Sequence, residues 1–66
     1  MNDGYLLEQL VKVTRAHLKA LAEYGAYKAP LSDPIKAAHL DEVRRRREDL
    51  KRLMVQIEKV HPVPTE

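Results

Sequence analysis

Apolar residues recur with helical spacing in two long segments of the chain. The stretch between these segments contains Gly25, Pro30 and Pro34, which are helix-breaking residues. Pro also excludes the residue before it from the helical region of backbone space. The pattern therefore predicts two helices joined by one loop.

The first helix is predicted over about 3–24, with Asn2 or Asp3 as its N-cap. Gly25 is predicted to end it, because Gly adopts the left-handed conformation without steric penalty. Charged residues of this segment fall on one side, and apolar residues cover about half of the cylinder. One neighbouring helix needs a narrower stripe, so a face this wide predicts more than one packing partner.

The second helix is predicted over about 34–60, with Ser32 or Asp33 as its cap and Pro34 at the first helical position. Pro62 is predicted to end it. Core-facing residues are spaced alternately by three and four, which is a heptad pattern. The stripe consists of His39, Val43, Arg46, Leu50, Leu53, Ile57 and Val60.

A loop over 25–33 is short enough to make the two helices antiparallel neighbours. We therefore predict one all-α domain over 1–66, an antiparallel two-helix hairpin followed by an extended tail over 61–66. The predicted register pairs Leu21 with His39, His17 with Val43, Thr14 with Arg46, Leu10 with Leu50 and Leu7 with Leu53.

Chain length and composition favour oligomerisation of this hairpin. A compact chain of 66 residues buries only about 60% of its unfolded surface, and this one has no Cys for a stabilising disulfide. We expect a homodimer that forms a four-helix bundle, or alternatively a tetramer or a complex with another chain. The predicted oligomer core comprises Leu7, Leu10, Thr14, His17, Leu21, His39, Val43, Arg46, Leu50, Leu53 and Ile57.

Polar residues on the predicted seams, Thr14, His17, His39 and Arg46, have three interpretations. They are ordinary boundary residues, with Arg46 extending to water and pairing with Glu42 or Asp49. Alternatively, they form a polar layer that sets register and oligomeric state. The third interpretation is a metal or ligand site built on the two imidazoles. The Glu-x-x-His pattern of di-iron bundles is missing, so no metal ligand is assigned.

A run of four arginines, residues 44–47, is the most conspicuous charged feature. Successive helical residues point about 100° apart, so four in a row do not form one patch. Acidic residues on both sides offer ion pairs at helical spacing. The alternative is a phosphate-binding surface, since guanidinium groups match phosphate oxygens. Its candidate residues are Arg44, Arg45, Arg47, Lys51 and Arg52.

Several functional classes lack support in the sequence. Thr14, Ser32 and Thr65 are the hydroxyl residues other than Tyr, and none lies in a Gly-rich nucleophile turn, so we predict no catalytic residues and no cofactor. Apolar runs are too short to span a membrane, and no secretory signal is evident. We expect a cytoplasmic protein.

The sequence therefore favours a non-enzymatic, homo-oligomeric hairpin that binds another protein as an adaptor, assembly or regulatory subunit. One alternative is a dimer that binds RNA or DNA through the arginine run. A third hypothesis is a bundle that binds a metal or small ligand through His17 and His39. Arginines tied into acid pairs on separate faces would favour the adaptor, whereas arginines gathered on one face would favour nucleic acid.

Overall fold

The computed structural model describes residues 3–62 and 64. It contains α1 (Asp3–Ala26) and α2 (Pro34–Val60), which pack against each other as a hairpin. Within these residues no strand is present, so the predicted all-α hairpin is confirmed. Asn2, a predicted cap, and the tail residues Val63, Thr65 and Glu66 lie outside the described part of the chain.

Asp33 caps α2. Its carboxylate Oδ1 accepts hydrogen bonds from the backbone N–H groups of Ile35, at 2.8 Å, and Lys36, at 3.2 Å. Pro34 follows at the first helical position, where a missing N–H leaves no hydrogen bond unmade. The sequence allowed Ser32 or Asp33 here, and the structure shows Asp33, which directly precedes the helix and satisfies two of its free N–H groups.

The C-terminus of α1 differs from the prediction. The helix continues two residues past Tyr24 to Ala26, and the Tyr27 N–H still donates to the Glu23 carbonyl at 3.2 Å. Gly25 is helical, and no glycine among the described residues has a positive φ. The left-handed stop is unnecessary because a side chain from α2, Lys36, takes up carbonyl oxygens at this end.

The two helices meet along a narrow seam. Buried side chains are Leu6 and Ala20 on α1, and Val43 and Leu53 on α2, of which Val43 is only 2% exposed. On α1 the residues at the seam are spaced alternately by four and three, as in a coiled coil. We call this set the inner stripe: Leu6, Leu10, Val13, His17, Ala20 and Tyr24.

The predicted register is wrong for two pairs of the hairpin, those of Leu7 and Leu21. Leu7 is 63% exposed and Leu21 is 40% exposed, whereas their neighbours Leu6 and Ala20 are buried against α2. Between them, Val13 and Thr14 are both half-buried, and Val13 lines a hollow beside Arg46. The side of α1 that faces α2 is therefore rotated by about 60° from the predicted one, which is less than one residue, since Leu10 and His17 belong to both sets.

The hairpin is a flat slab, with principal dimensions of 44 × 26 × 15 Å. Its thickness matches one layer of helices, since a helix with its side chains is roughly 10–12 Å wide. The accessible surface is 5314 Å². A compact globule of this mass exposes about 4,300 Å². The accessible surface is therefore about 1,000 Å² larger than that of a compact fold of this mass.

Candidate interaction surfaces

A second stripe of apolar residues runs along α1 beside the inner stripe. It follows the same alternation of four and three, and helical geometry places it about 100° around the axis from the seam. Four of its members, Leu7, Val11, Leu18 and Leu21, are 40–63% exposed. Thr14, at its centre, is half-buried. We call these five residues the outer stripe.

Two apolar residues of α2 extend the outer stripe across the hairpin. In an antiparallel pair, the side of α2 that carries Leu40 and Met54 is continuous with the outer stripe. Leu40 is half-buried, and Met54 is exposed. Near the open end, Leu7 joins Leu10 and Ile57 in lining a shallow hollow of about 330 Å³. The outer stripe, Leu40 and Met54 together form what we call the apolar face.

The opposite side of the slab is charged. Lys19, Glu23, Glu42 and Arg46 line an open hollow of about 290 Å³ together with Ala16 and Ala20. A neighbouring hollow is lined by Lys12 and Asp49, again beside Arg46. These six charged residues, with Ala16 between them, form the charged face. The two sides of one hairpin therefore differ sharply in polarity.

Arg46 lies on the charged face and is exposed. Its Nε–H donates to Glu42 Oε2 at 2.8 Å, and Arg45 contacts the other oxygen of that carboxylate at 3.0 Å. The predicted pairing of Arg46 with Glu42 is confirmed. Because the guanidinium reaches water, the seam avoids the large penalty of a buried unpaired charge.

The five candidate nucleic-acid contacts do not share one side of α2. Helical geometry places Arg47 between Leu40 and Met54, on the side of α2 that belongs to the apolar face. Arg44 and Lys51 lie on the edge beside that side, and Arg45 and Arg52 lie on the edge beside the charged face. Three of them are ion-paired on the helix surface. Arg45 pairs with Glu42, Arg52 with Asp49, and Lys51 with Glu48 at 3.4 Å. These cations are therefore spread over more than one side of α2, and three of them are paired with acidic residues, so they do not form a single basic patch.

Lys36 is the main feature that the sequence did not reveal. Only 9% of this lysine is exposed, and its ammonium donates to the carbonyl oxygens of Tyr24 and, at 2.7 Å, Tyr27. The ammonium also lies 3.9 Å from the centroid of the Tyr24 ring. A cation at this place satisfies helix-end carbonyls and complements the negative end of the α1 dipole.

One sequence signal could have indicated this role. A lysine in the first turn of a helix opposes that helix's own dipole, and α2 has Lys36 there with no acidic residue in the same turn. Such a placement favours a partner outside α2. A short loop brings the C-terminal end of α1 to the start of α2, so the last carbonyls of α1 are the nearest acceptors.

Tyr27 packs over the start of α2. Its phenol O–H donates to Asp33 Oδ1 at 3.4 Å, and its ring centroid lies 5.5 Å from that of His39. Burial raises the pKa of Tyr27 above its ordinary value of 10.0, and the charge and hydrogen bond of Asp33 add to this effect. The folded state favours the neutral phenol, so this contribution to stability is present below pH 10.0 and is lost as the pH rises through the folded pKa.

The two histidines of the ligand hypothesis occupy different surroundings. His39 contacts the Tyr27 ring near the loop, whereas His17 lies on the inner stripe with its Nε2 buried and without a hydrogen-bond partner. Within residues 3–62 and 64, no group of three or more potential metal-ligating His, Cys, Asp or Glu residues comes together. The ligand hypothesis therefore gains no support from the described geometry.

The residues of the predicted oligomer core divide into three groups within one hairpin. Val43 and Leu53 are buried at the seam. Leu7, Leu21 and Arg46 are exposed, the first two on the apolar face. The remaining six are half-buried: Leu10, Thr14, His17, His39, Leu50 and Ile57. Their burial in an oligomer stays a prediction, which concerns the apolar face most directly.

Neither α1 nor α2, as far as the chain is described, carries the nearly uncharged apolar run that a bilayer span requires. The chain matches no family model, and comparisons with curated proteins and with solved structures find no match.

Proposed function

We propose that the chain is a non-enzymatic, homo-oligomeric hairpin that binds protein as a small adaptor, assembly or regulatory subunit of the cytoplasm. The observation that carries the proposal is the apolar face. Its outer stripe exposes four large aliphatic side chains on one side of a slab that is one helix thick. Domains normally bury such a face in a second layer, which one hairpin cannot supply.

The size of the accessible surface favours a second copy of the chain as the partner that covers the apolar face. The excess of about 1,000 Å² over a compact globule exceeds the roughly 800 Å² that each partner buries in a standard stable interface. Two hairpins stacked through their apolar faces make a four-helix bundle. Apolar burial of this extent is the main favourable term in protein association.

Protein is favoured over nucleic acid as the further partner. In the arginine-rich segment of α2, several cations form ion pairs with Glu42, Glu48 and Asp49. The net charge of the chain is only +2. Nucleic-acid affinity depends on cations that are free to replace counterions on phosphates. A dimer of this chain offers a mixed surface of both signs rather than a basic groove.

The hairpin tip, residues 27–33, is the region we propose for contact with a protein partner. Leu31 is 56% exposed there, and Ile35, just beyond, is 55% exposed. Stacking the slabs through their apolar faces leaves the tips at the ends of the bundle. An adaptor needs such a second surface, because its self-association surface is already occupied.

Light scattering coupled to size-exclusion chromatography tests self-association. We expect a mass of about twice the 7.6 kDa chain at micromolar concentration. Leu18→Glu places a carboxylate in the centre of the apolar face of each copy, and we expect association to weaken by about 100-fold or more. Arg15→Glu is the control. It lies on the outward side of α1, where its new carboxylate has Lys12 and Lys19 as neighbours.

A monomeric Leu18→Glu variant beside a dimeric Arg15→Glu variant supports the proposal. A wild-type chain that stays folded and monomeric at all concentrations contradicts it. Equal weakening by both substitutions also contradicts it, because net charge rather than the apolar face would then control association.

A further inference from the structure

The outer stripe is nearly symmetric about its centre. Leu7 and Leu21 each lie seven residues from Thr14, and Val11 and Leu18 lie three and four residues from it. Reversing the direction of the helix therefore gives almost the same order of apolar side chains, with one hydroxyl in the middle. Self-complementarity of this kind is what a twofold interface requires, since the same patch serves both copies.

We infer that α1 packs antiparallel on α1 of a second copy, with Thr14 at the twofold axis. In this arrangement Leu7 contacts the partner subunit's Leu21, and Val11 contacts the partner subunit's Leu18. The inference rests on the proposed self-association and specifies which helices meet, in which direction and in which register.

Thr14 selects the register. At the axis, its hydroxyl group meets that of the partner's Thr14, and each can donate to or accept from the other. A shift by one heptad sets Thr14 against the partner's Leu21 or Leu7 instead and leaves the hydroxyl facing apolar carbon. One polar residue in an apolar stripe commonly specifies register and orientation in this way.

Charge favours α1 rather than α2 as the centre of the contact. On α2, Arg47 lies between Leu40 and Met54, and Arg44 and Lys51 lie on the adjoining edge, whereas the outer stripe contains no charged residue. Placing α2 against α2 of the second copy brings like charges together, and placing α1 against α2 sets the arginine-rich edge over leucines. An α1 contact leaves these cations at the rim, in water. Antiparallel helices also align their dipoles favourably.

Disulfide cross-linking tests this geometry without background, because the natural chain has no Cys. Thr14→Cys sets two thiols at the axis, within the distance of about 7 Å between Cα atoms that a disulfide needs. In Leu7→Cys, the same two positions lie about 21 Å apart along the antiparallel helices, too far to join. We expect Thr14→Cys to form the covalent dimer at least about tenfold faster under mild oxidation.

Mixed samples provide a second measurement that does not depend on position 14. Leu7→Cys and Leu21→Cys chains, one of them carrying a mass tag, are refolded together and oxidised. We expect the tagged–untagged heterodimer to exceed both homodimers, because Leu7 of one copy faces Leu21 of the partner subunit. Circular dichroism of each reduced variant checks that the helices are retained.

The outcomes separate the geometry from the proposed function. Rapid cross-linking of Thr14→Cys together with the mixed heterodimer supports the inference. Rapid homodimer formation by Leu7→Cys shows a parallel pair and overturns it. A wild-type dimer by light scattering whose variants show neither pattern overturns the α1 geometry and leaves self-association standing. A wild-type monomer with no selective cross-linking overturns both.

Discussion

Two apolar stripes lie side by side on α1, and they differ in burial within the hairpin. The inner stripe is buried or half-buried against α2, whereas four of the five outer-stripe residues are exposed. Both stripes follow the same spacing, and each contains four aliphatic residues. Hydrophobic pattern alone therefore predicts two apolar contacts for α1 but does not distinguish which stripe packs on α2.

Residue size, rather than hydrophobicity, distinguishes the two stripes. On the inner stripe, Ala20 is 4% exposed and lies beside Glu42 and Arg46 in the first half of α2. The outer stripe has Leu18 and Leu21 at the same level of α1. A small side chain lets the helix axes approach, and Val43 of α2 is then almost fully enclosed. Large side chains on the outer stripe provide the apolar area that an association between copies needs.

Neighbouring leucines allow the largest test of this comparison. Leu6→Ala removes a buried side chain, and we expect the free energy of unfolding to fall by about 3 kcal/mol through lost burial and a cavity. Leu7→Ala, one residue away at the end of the outer stripe, should cost about 1 kcal/mol. Urea unfolding at one fixed protein concentration measures both. A larger loss of unfolding free energy for Leu7→Ala than for Leu6→Ala would mean that the outer stripe, rather than the inner stripe, packs on α2.

Lys36 binds carbonyl oxygens at the loop end of α1, next to the inner stripe. Its substitution is expected to have the next largest effect on stability. Lys36→Met keeps much of the apolar stem but loses the hydrogen bonds to Tyr24 and Tyr27, for which we expect about 2 kcal/mol of destabilisation. The control is Lys28→Met, an exposed loop position expected to change stability by less than about 0.5 kcal/mol. Thermal unfolding followed by circular dichroism compares them. Equal effects would mean that Lys36 does not cap α1.

Gly25 continues the outer-stripe spacing beyond Leu21, and it tests where α1 ends. A Cβ at this position meets no atom within 4 Å, and the backbone is helical. Gly25→Ala should therefore stabilise the hairpin by about 0.5–1 kcal/mol, because Ala restricts the unfolded chain and favours the helix. A higher midpoint of thermal unfolding checks this. A lower midpoint would instead indicate that Gly25 ends α1 in the left-handed conformation, as the sequence predicts.

The smallest effect is expected from the cations that border the apolar face. We expect the wild-type chain to produce no mobility shift of duplex DNA or structured RNA at low salt, and Arg44→Gln with Arg47→Gln to change nothing in that assay. A shift by the wild type that the double variant abolishes would favour the nucleic-acid alternative. In that case Arg44 and Arg47 of α2, rather than the apolar face, would form the functional surface.

Much of the fold follows from short-range signals in the sequence. Asp33 and Pro34 predict the start of α2 correctly because a cap and a first-turn proline act within three residues. The heptad spacing from His39 to Val60 likewise predicts the side of α2 that faces α1. The ion pair between Glu42 and Arg46 is a local feature of the same kind.

Other features depend on contacts between distant residues. The rotation of α1 depends on Ala20 meeting α2, and an alternation of four and three does not specify it, since Leu7 and Leu6 fit equally well. The continuation of α1 through Gly25 depends on Lys36, which is distant in sequence from the carbonyls it binds. Such long-range terms override local preference at helix ends.

Concentration dependence of unfolding is the most direct measurement of whether the apolar face is covered by a second copy. If folding and association are linked, raising the protein concentration from about 1 µM to about 100 µM should stabilise the folded state by about 2.7 kcal/mol, and the thermal midpoint should rise by several degrees. The mass from light scattering should correspond to a dimer over the upper part of that range. A folded monomer whose midpoint is the same at both concentrations would contradict self-association through the apolar face.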